Sequence, residues 1–285
     1  LEIDRDLAQQ CRFGLRRAIG IMPDGTPFDL PADGPLPEPV DIPENASKHT
    51  VWLNLPITMV NSTEVAPRDG ESAARWFPKP EIFIDSTAAL RAEDEIDVAH
   101  PRFTLSVSQR AKAGHVNLAV ARILEVRDHT AVLDDKFVPP LLLCSSHPEI
   151  RGWIERVIGW TDTKLEELAR YAADPTAGGG LQNAEYMVLQ LLNRASPVFR
   201  HLWNSTHVHP ERFYVELLRL VGELATFSTR DRRARDYPPY DHDDLERSFA
   251  PLLRDAQDFL SVRLGRRVIR LDLEQRAANA FVSAI

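Results

Sequence analysis

The stretch DKFVPPLLLCSSHPE, residues 135–149, divides the chain into two parts with different apolar patterns. Before it, Pro, Gly, Asn or Asp interrupts the sequence every few residues, and apolar residues alternate or form short β-branched runs, as in strands. After it, to about residue 265, apolar residues recur every three or four positions, as in helices. Ser146, Pro148 and Glu149 supply the hydroxyl cap, early proline and early acid of a helix start. The sequence therefore predicts a β region followed by an α region.

The clearest strand patterns of the first part lie at 49–60, 81–85, 102–110, 115–126 and 131–134. In the segment 102–110, Phe103, Leu105 and Val107 share one face, and polar residues occupy the other. This alternation is typical of an antiparallel sheet with one solvated face, so we predict antiparallel sheets over residues 1–142.

A tight turn is predicted near the start of the chain, at Pro23, Asp24 and Gly25. Gly supplies the positive φ that such turns require, and Pro fixes the entry angle. Six prolines between residues 27 and 43 then indicate an extended connection, because proline cannot pair within a central strand.

Four helices are predicted over about 148–172, 181–202, 210–228 and 242–264, within a helical domain of residues 143–265. Pro197 and Pro251 are expected to bend or restart the second and fourth helices. Residues 266–285 are expected to form a strand or linker that leaves the bundle.

Two adjacent apolar rows follow the third helix, and together they form an arc too broad for one neighbouring helix. The first row is Phe213, Leu217, Leu220, Leu224 and Phe227, and the second includes Tyr214, Leu218 and Val221. Either this helix is central in its own bundle, or the arc is shared with another copy of the chain. If the arc is shared, these eight residues are the candidates for the interface between copies.

Charge and cysteine content limit the function classes. The 285 residues carry a formal charge of −8 with a pI of about 5.6, which argues against nucleic acid or an anionic membrane as the main partner. Cys11 and Cys144 are too few for a disulfide framework and are expected to be reduced thiols. No apolar run approaches the roughly 20 residues that span a bilayer.

Two clusters of ionisable residues are the candidates for a metal site. His207 and His209 are two positions apart, and Asp241, His242, Asp243 and Asp244 form the densest group. Carboxylates bind hard cations, but the calcium-loop pattern is absent, so we favour helix capping by Asp241 at the fourth helix. A metal-dependent enzyme or binding protein using these six residues remains the alternative.

Apart from these clusters, the residues indicate packing, turns and surfaces, and they predict no catalytic constellation. The segment RWFPKP, residues 75–80, is predicted to be a loop that presents Trp76 and Phe77 to a protein partner.

Five motifs in order resemble one known family, the TssK subunits of the type VI secretion baseplate. They are PDGT (23–26), VWLNLP (51–56), DKFVPPLL (135–142), HPERFYVELLRLVGELATF (209–227) and PPYDHDDLERSFAPLL (238–253). The last two are the most specific, and the resemblance covers nearly the whole chain.

The resemblance implies a structural adaptor without catalysis or cofactor. Its architecture would be a β-sandwich shoulder, a helical neck that forms a homotrimer, and a C-terminal head. The eight apolar residues of the third helix would then lie at the trimer interface. The shoulder would bind the wedge proteins TssF and TssG with TssE, and the head would contact TssJ, TssL and TssM. The protein would be cytoplasmic, at the inner face of the inner membrane of a Gram-negative bacterium, without inserting into the membrane.

Two departures from the family pattern concern the ends of the chain. The family's N-terminal stretch, with a Trp and a PQHFQQ-like motif that attaches to the wedge, has no counterpart before Leu1. The head is expected to begin near AFVSAI, residues 280–285, where this sequence stops. The resemblance therefore implies that the head domain is missing from this chain.

Overall fold

The computed structural model describes residues 1–59, 63–66, 74–85, 87, 93–173, 183–262, 274–277 and 280–282. Within these ranges, strands and one short helix come first, and four long helices follow. The strands before the long helices are β1 (Glu2–Ile3), β2 (Arg12–Phe13), β3 (Leu15–Ile21), β4 (Pro27–Leu30), β5 (Val40–Asp41), β6 (His49–Pro56), β7 (Trp76–Ile84), β8 (Glu93–Pro101), β9 (Thr104–Ser108), β10 (His115–Arg127) and β11 (Thr130–Leu133).

The helices are α1 (Arg5–Ala8), α2 (Pro148–Ala173), α3 (Asn183–Asn204), α4 (Pro210–Ser228) and α5 (Leu245–Ser261), with one 3₁₀ turn at Cys144–Ser146. Two further strands, β12 (Glu274–Ala277) and β13 (Ala280–Val282), pair with each other near the end of the chain. The predicted order of strands followed by helices is therefore confirmed.

The strands before the helices form antiparallel sheets, as their alternating pattern predicts. One sheet has the order β1–β3–β4 and another the order β11–β10–β6–β9, while β2 pairs with β5 and β7 pairs with β8. The two larger sheets contribute to one buried apolar cluster, which includes Leu15 and Phe28 from the first and Leu53 and Ile123 from the second.

The predicted turn at Pro23–Gly25 joins β3 to β4. Gly25 has φ of +88°, and the amide of Met22 donates a 2.8 Å hydrogen bond to the carbonyl of Thr26. The carboxylate of Asp24 accepts a hydrogen bond from the amide of Thr26 at 3.1 Å, which closes the turn from inside.

The helix bounds lie close to the prediction. α2 ends one residue later than expected and α4 has the predicted bounds, whereas α5 begins at Leu245 instead of residue 242. Pro197 and Pro251 lie inside α3 and α5, and neither proline restarts its helix. The predicted start of the second helix at Leu181 and residues 266–273 of the predicted strand or linker lie outside the described residues.

The chain divides into two compact units. The first comprises Leu1–Ile150, His209–Glu211 and Pro238–Phe249, and the second comprises Arg151–Val208, Arg212–Tyr237 and Ala250–Ile285. The change of pattern at residues 135–149 thus lies next to the first boundary between units. The later segments His209–Glu211 and Pro238–Phe249 nevertheless belong to the unit that contains β1 to β11. No helix among the described residues is long and apolar enough to cross a membrane.

Candidate interaction surfaces

The apolar rows of α4 lie inside the second unit. Of the eight residues predicted at a trimer interface, six are at most 5% exposed within this one chain: Phe213, Tyr214, Leu217, Leu220, Val221 and Leu224. Leu218 and Phe227 are half-buried. A side chain covered by its own chain leaves almost no surface for another copy.

The reason is that α4 packs within its own helical unit, where it contacts α3. α2, α3 and α5 also bury apolar side chains, among them Val157, Leu192 and Ala256. The ring of Phe199 on α3 meets the ring of Phe213 edge-on, with centroids 6.3 Å apart. The inference that the broad arc requires other chains for its burial is therefore wrong for the six buried residues, and trimer formation itself stays a prediction.

The polar side of α4 carries its own ion pairs. Glu216 is buried, and its carboxylate lies 3.0 Å from the guanidinium groups of Arg212 and Arg219, one turn to either side. Glu223 pairs with Arg194 of α3 at 2.5 Å. These pairs satisfy the acids that flank the apolar rows and are consistent with an interior position of α4.

A second group of predicted site residues forms a ring cluster in the first unit. The imidazoles of His209 and His242 stack with centroids 5.2 Å apart and planes 12° from parallel. The Oη of Tyr240 lies 2.9 Å from Nδ1 of His242, and Nδ1 of His209 accepts a 3.2 Å hydrogen bond from the amide of Glu211. One nitrogen of each histidine is therefore engaged within the protein.

The environment of this cluster disfavours charge on its members. Burial, reinforced by the charge of His209, lowers the pKa of His242 despite the nearby Asp243 and Asp241 carboxylates. Burial, with the negative charge of Glu211, raises the pKa of Tyr240. Burial also raises the pKa of the free thiol of Cys144 to about 12, so this thiol is a poor nucleophile.

The alternative prediction of a metal site receives no support from the described residues. Among them, no group of three His, Cys, Asp or Glu side chains is arranged to hold a metal ion. His207 is exposed and bonds Thr206 through Nδ1 at 2.8 Å.

Two acids of the segment 241–244 accept hydrogen bonds from backbone amides at or just before the start of α5. The carboxylate of Asp244 accepts a 3.0 Å hydrogen bond from the amide of Arg247 at the start of α5, and Asp241 accepts one from the amide of Asp243 at 3.0 Å. An acid therefore caps α5, but it is Asp244, and the prediction of Asp241 was wrong by three positions; Asp241 instead closes a local turn before the helix.

The predicted partner residues Trp76 and Phe77 lie in β7 and not in a loop. Both side chains are half-buried. The guanidinium of Arg75 lies 5.8 Å from the ring of Trp76, and that of Arg102 lies 5.4 Å from the ring of Phe77. These cation–π contacts hold both rings in place at the base of the β7–β8 hairpin.

Arg75 fixes this base to the turn between β3 and β4. Its side chain is 7% exposed and donates hydrogen bonds to the carbonyl of Pro56 at 2.7 Å, to Asp24 at 2.5 Å and to Thr26 Oγ1 at 2.6 Å. Burial alone would raise the pKa of Asp24, but the hydrogen bonds from Thr26 and Arg75 outweigh it and lower that pKa. His100 of β8 is buried as well, with Nδ1 2.8 Å from the carbonyl of Asp33.

The far half of the same hairpin is a surface that the sequence reasoning missed. Ile82, Phe83, Ile84 and Ile96 are between 45% and 68% exposed. The strand pattern at residues 81–85 is followed by acids at residues 93–97, and these acids could have indicated an exposed position, because such acids disfavour burial. Adjacent exposed apolar side chains mark interaction sites more often than isolated ones.

A family model described as "Bacterial Type VI secretion, VC_A0110, EvfL, ImpJ, VasE" matches residues 1–285, the whole chain. The type VI secretion system baseplate component TssK1 of Pseudomonas aeruginosa PAO1 is 31% identical over 288 aligned residues. The alignment covers 100% of this chain and 65% of that relative, so the chain spans about two thirds of its length.

Solved structures give the same result. A crystal structure of TssK superposes with a TM-score of 0.87 and 29% identity, covering 100% of this chain and 65% of that one. A cryo-electron microscopy structure of a TssK–TssF–TssG baseplate subcomplex matches with a TM-score of 0.78 and 25% identity, over 91% of this chain and 83% of that one.

Proposed function

The chain belongs to the type VI secretion family of ImpJ and VasE, and on that basis we propose that it is a structural component of the secretion baseplate and not an enzyme. The observation that carries the proposal is the match to TssK along the entire chain, with a TM-score of 0.87. The resemblance read from five motifs in the sequence agrees with this family assignment.

The proposed partners are the wedge proteins TssF and TssG, with TssE. The support is the subcomplex in which a similar TssK is bound to TssF and TssG. Residues 1–142 would form the β-sandwich shoulder that faces these partners, and Trp76 and Phe77 remain the proposed contact residues because both keep part of their rings exposed.

The proposed assembly is a homotrimer that links the wedge to the membrane complex. The helical domain of residues 143–265 would serve as the neck, with Leu218 and Phe227 as its remaining interface candidates. Residues 266–285 would lead towards a head domain that contacts TssJ, TssL and TssM. Such a protein would act in the cytoplasm at the inner membrane, without cofactor, nucleic acid or membrane insertion.

Co-purification tests the proposed function. The tagged chain is coexpressed with TssF and TssG of the same organism, and we expect both to be retained in a fixed ratio. The variant Trp76→Ala/Phe77→Ala is expected to retain much less. Its control is Tyr171→Ala/Tyr186→Ala, which removes two exposed tyrosines of the second unit and should leave retention unchanged.

Two results would separate the function from the contact residues. A folded wild-type chain that retains neither TssF nor TssG contradicts the proposed function. Full retention by the Trp76→Ala/Phe77→Ala variant contradicts only the assignment of those two rings. Circular dichroism of each variant checks that the fold is intact.

A further inference from the structure

We propose that the far half of the β7–β8 hairpin docks onto the turn between β9 and β10 of a second copy of this chain. The two surfaces are called the acidic hairpin, residues 82–84 and 93–96, and the basic turn, residues 109–115. The inference rests on the proposed homotrimer and identifies a surface through which the copies meet.

The acidic hairpin combines apolar and negative side chains on one face. In the register of the two strands, Ile82 lies opposite Glu95 and Ile84 lies opposite Glu93. Residues directly opposite each other in an antiparallel pair share a face, so an isoleucine column runs beside a carboxylate column. Ile82 and Ile84 are 68% and 57% exposed.

Neither column has a covering element in the described part of the chain. β7 and β8 form a sheet of two strands there, and the bridge from Val65 to β7 is at Trp76, at the base of the hairpin and away from both columns. In the same ranges, Glu93, Asp94 and Glu95 are exposed and pair with no cation. Three adjacent carboxylates that pair with no cation of the described residues favour a basic surface as partner.

The basic turn has the complementary composition. Arg110 and Lys112 are exposed, and within the described residues neither forms an ion pair. Ile57 lies beside the turn, because its amide donates a 3.1 Å hydrogen bond to the carbonyl of Gly114. Its side chain is 42% exposed. The turn therefore presents two cations next to an isoleucine, while the hairpin presents carboxylates next to isoleucines.

The backbone of the basic turn is fixed before any partner binds. The side chain of Asn117 accepts from the amide of Lys112 at 3.1 Å and donates to its carbonyl at 3.0 Å. Ser108 Oγ donates to the carbonyl of Arg110 at 2.5 Å. Ordering this loop on association therefore costs little entropy, which favours binding.

Charge complementarity also determines the symmetry of the contact. A two-fold contact that pairs the acidic hairpin with itself would bring like charges together, which costs free energy. A contact between two different surfaces leaves a free hairpin and a free turn at its ends, and such heterologous contacts form rings when the rotation between copies closes. This geometry accommodates three copies and excludes a self-paired dimer through the hairpin.

Charge reversal tests the contact by sedimentation over a range of protein concentrations and salt concentrations. Glu93→Lys/Glu95→Lys is expected to raise the dissociation constant of the trimer by about tenfold or more, and so is Arg110→Glu/Lys112→Glu. The chain that carries all four changes should recover to within about threefold of wild type, because the charges match again. The control Glu2→Lys/Glu38→Lys makes the same change in net charge as the Glu93→Lys/Glu95→Lys variant at two other exposed positions of the first unit and should leave association unchanged.

Three other outcomes are possible, and each contradicts a different part of the proposal. A trimeric wild type whose two reversal variants associate normally overturns the hairpin contact and leaves the trimer standing. Normal association with loss of TssF and TssG retention assigns the hairpin to the wedge and also overturns the contact. A monomeric wild type overturns the trimer and the contact together. Unchanged thermal unfolding confirms that each variant is folded.

Discussion

Helix α4 and the β7–β8 hairpin are both rich in apolar side chains, but they place those side chains in opposite environments. Leu217, Leu220 and Leu224 are at most 2% exposed, whereas Ile82 and Ile84 are more than half exposed. The helix shows the stronger pattern in the sequence, and the hairpin has only a short alternating run.

This comparison shows that periodicity locates an apolar face but does not identify what covers it. Four helices of one chain can bury a broad arc between them. A hairpin of two strands has no second layer, so its apolar residues stay in water unless a partner covers them. The hairpin, whose apolar pattern in the sequence is the weaker of the two, is therefore the element with apolar surface still available for a partner.

The largest expected loss of stability concerns α4, and it shows whether its apolar rows belong to the core of the chain or to an interface between copies. Replacing Leu220 by Ala should lower the free energy of unfolding by about 2–5 kcal/mol, because it leaves a cavity in a packed interior. The matched change at half-buried Leu218 should cost clearly less. Urea denaturation measures both. If Leu220→Ala leaves stability unchanged and lowers only the association mass, the leucine belongs to an interface.

The hairpin base should behave like the helical core, unlike its far half. Replacing Arg75 by Met removes hydrogen bonds to Asp24, Thr26 and Pro56, and we expect a loss of about 2–3 kcal/mol in unfolding free energy. The control is Arg17→Met, an exposed arginine of β3. Equal effects of the two changes in urea denaturation would contradict the anchoring role of Arg75.

Acid should weaken the ring cluster at the start of α5. The pKa of His242 is lower in the folded chain than the ordinary value of 6.5, so the unfolded chain binds its proton first. The stabilisation is complete above about pH 6.5 and is lost as the pH falls through 6.5 towards the lowered folded pKa. His242→Gln should reduce the loss of stability between pH 7.5 and 5.5.

His207→Gln is the matched control for this pH dependence, because His207 is exposed. Its pH profile of unfolding free energy should follow that of wild type. A His242→Gln profile that coincides with wild type over the same range would show that the cluster is not the source of the acid sensitivity.

The smallest stability effect is expected at the far half of the hairpin. Ile82→Ser and Ile84→Ser remove exposed apolar surface, so the unfolding free energy of the dissociated chain should change by less than about 0.5 kcal/mol. The dissociation constant of the assembly should rise nevertheless. A large loss of monomer stability would mean that these side chains are packed within their own chain.

Local features were predictable from the sequence because they depend on a few neighbouring residues. The turn at Gly25 and the bounds of α4 follow from positive φ, proline position and apolar spacing. The start of α5 was placed three residues early, since several acids in one run can cap a helix and the pattern does not select among them.

Features that depend on tertiary neighbours were not predictable in the same way. Leu220 is buried by residues distant in the sequence, and the ring of Trp76 is in contact with Arg75. The anchoring of Arg75 joins residues about 50 positions apart in the sequence, and no local pattern reveals it. The proposed function comes from the family resemblance. The spacing of apolar residues alone did not decide whether α4 lies in the core of its own chain or at an interface between copies.

Hydrogen exchange at two protein concentrations, one above and one below the dissociation constant of the assembly, tests the central claim most directly. If the apolar rows of α4 are intrachain core, amides of residues 213–227 keep the same protection at both concentrations, while those of residues 81–84 and 93–96 become more protected in the assembled sample. Loss of protection in α4 on dilution, with an unchanged hairpin, would contradict this account.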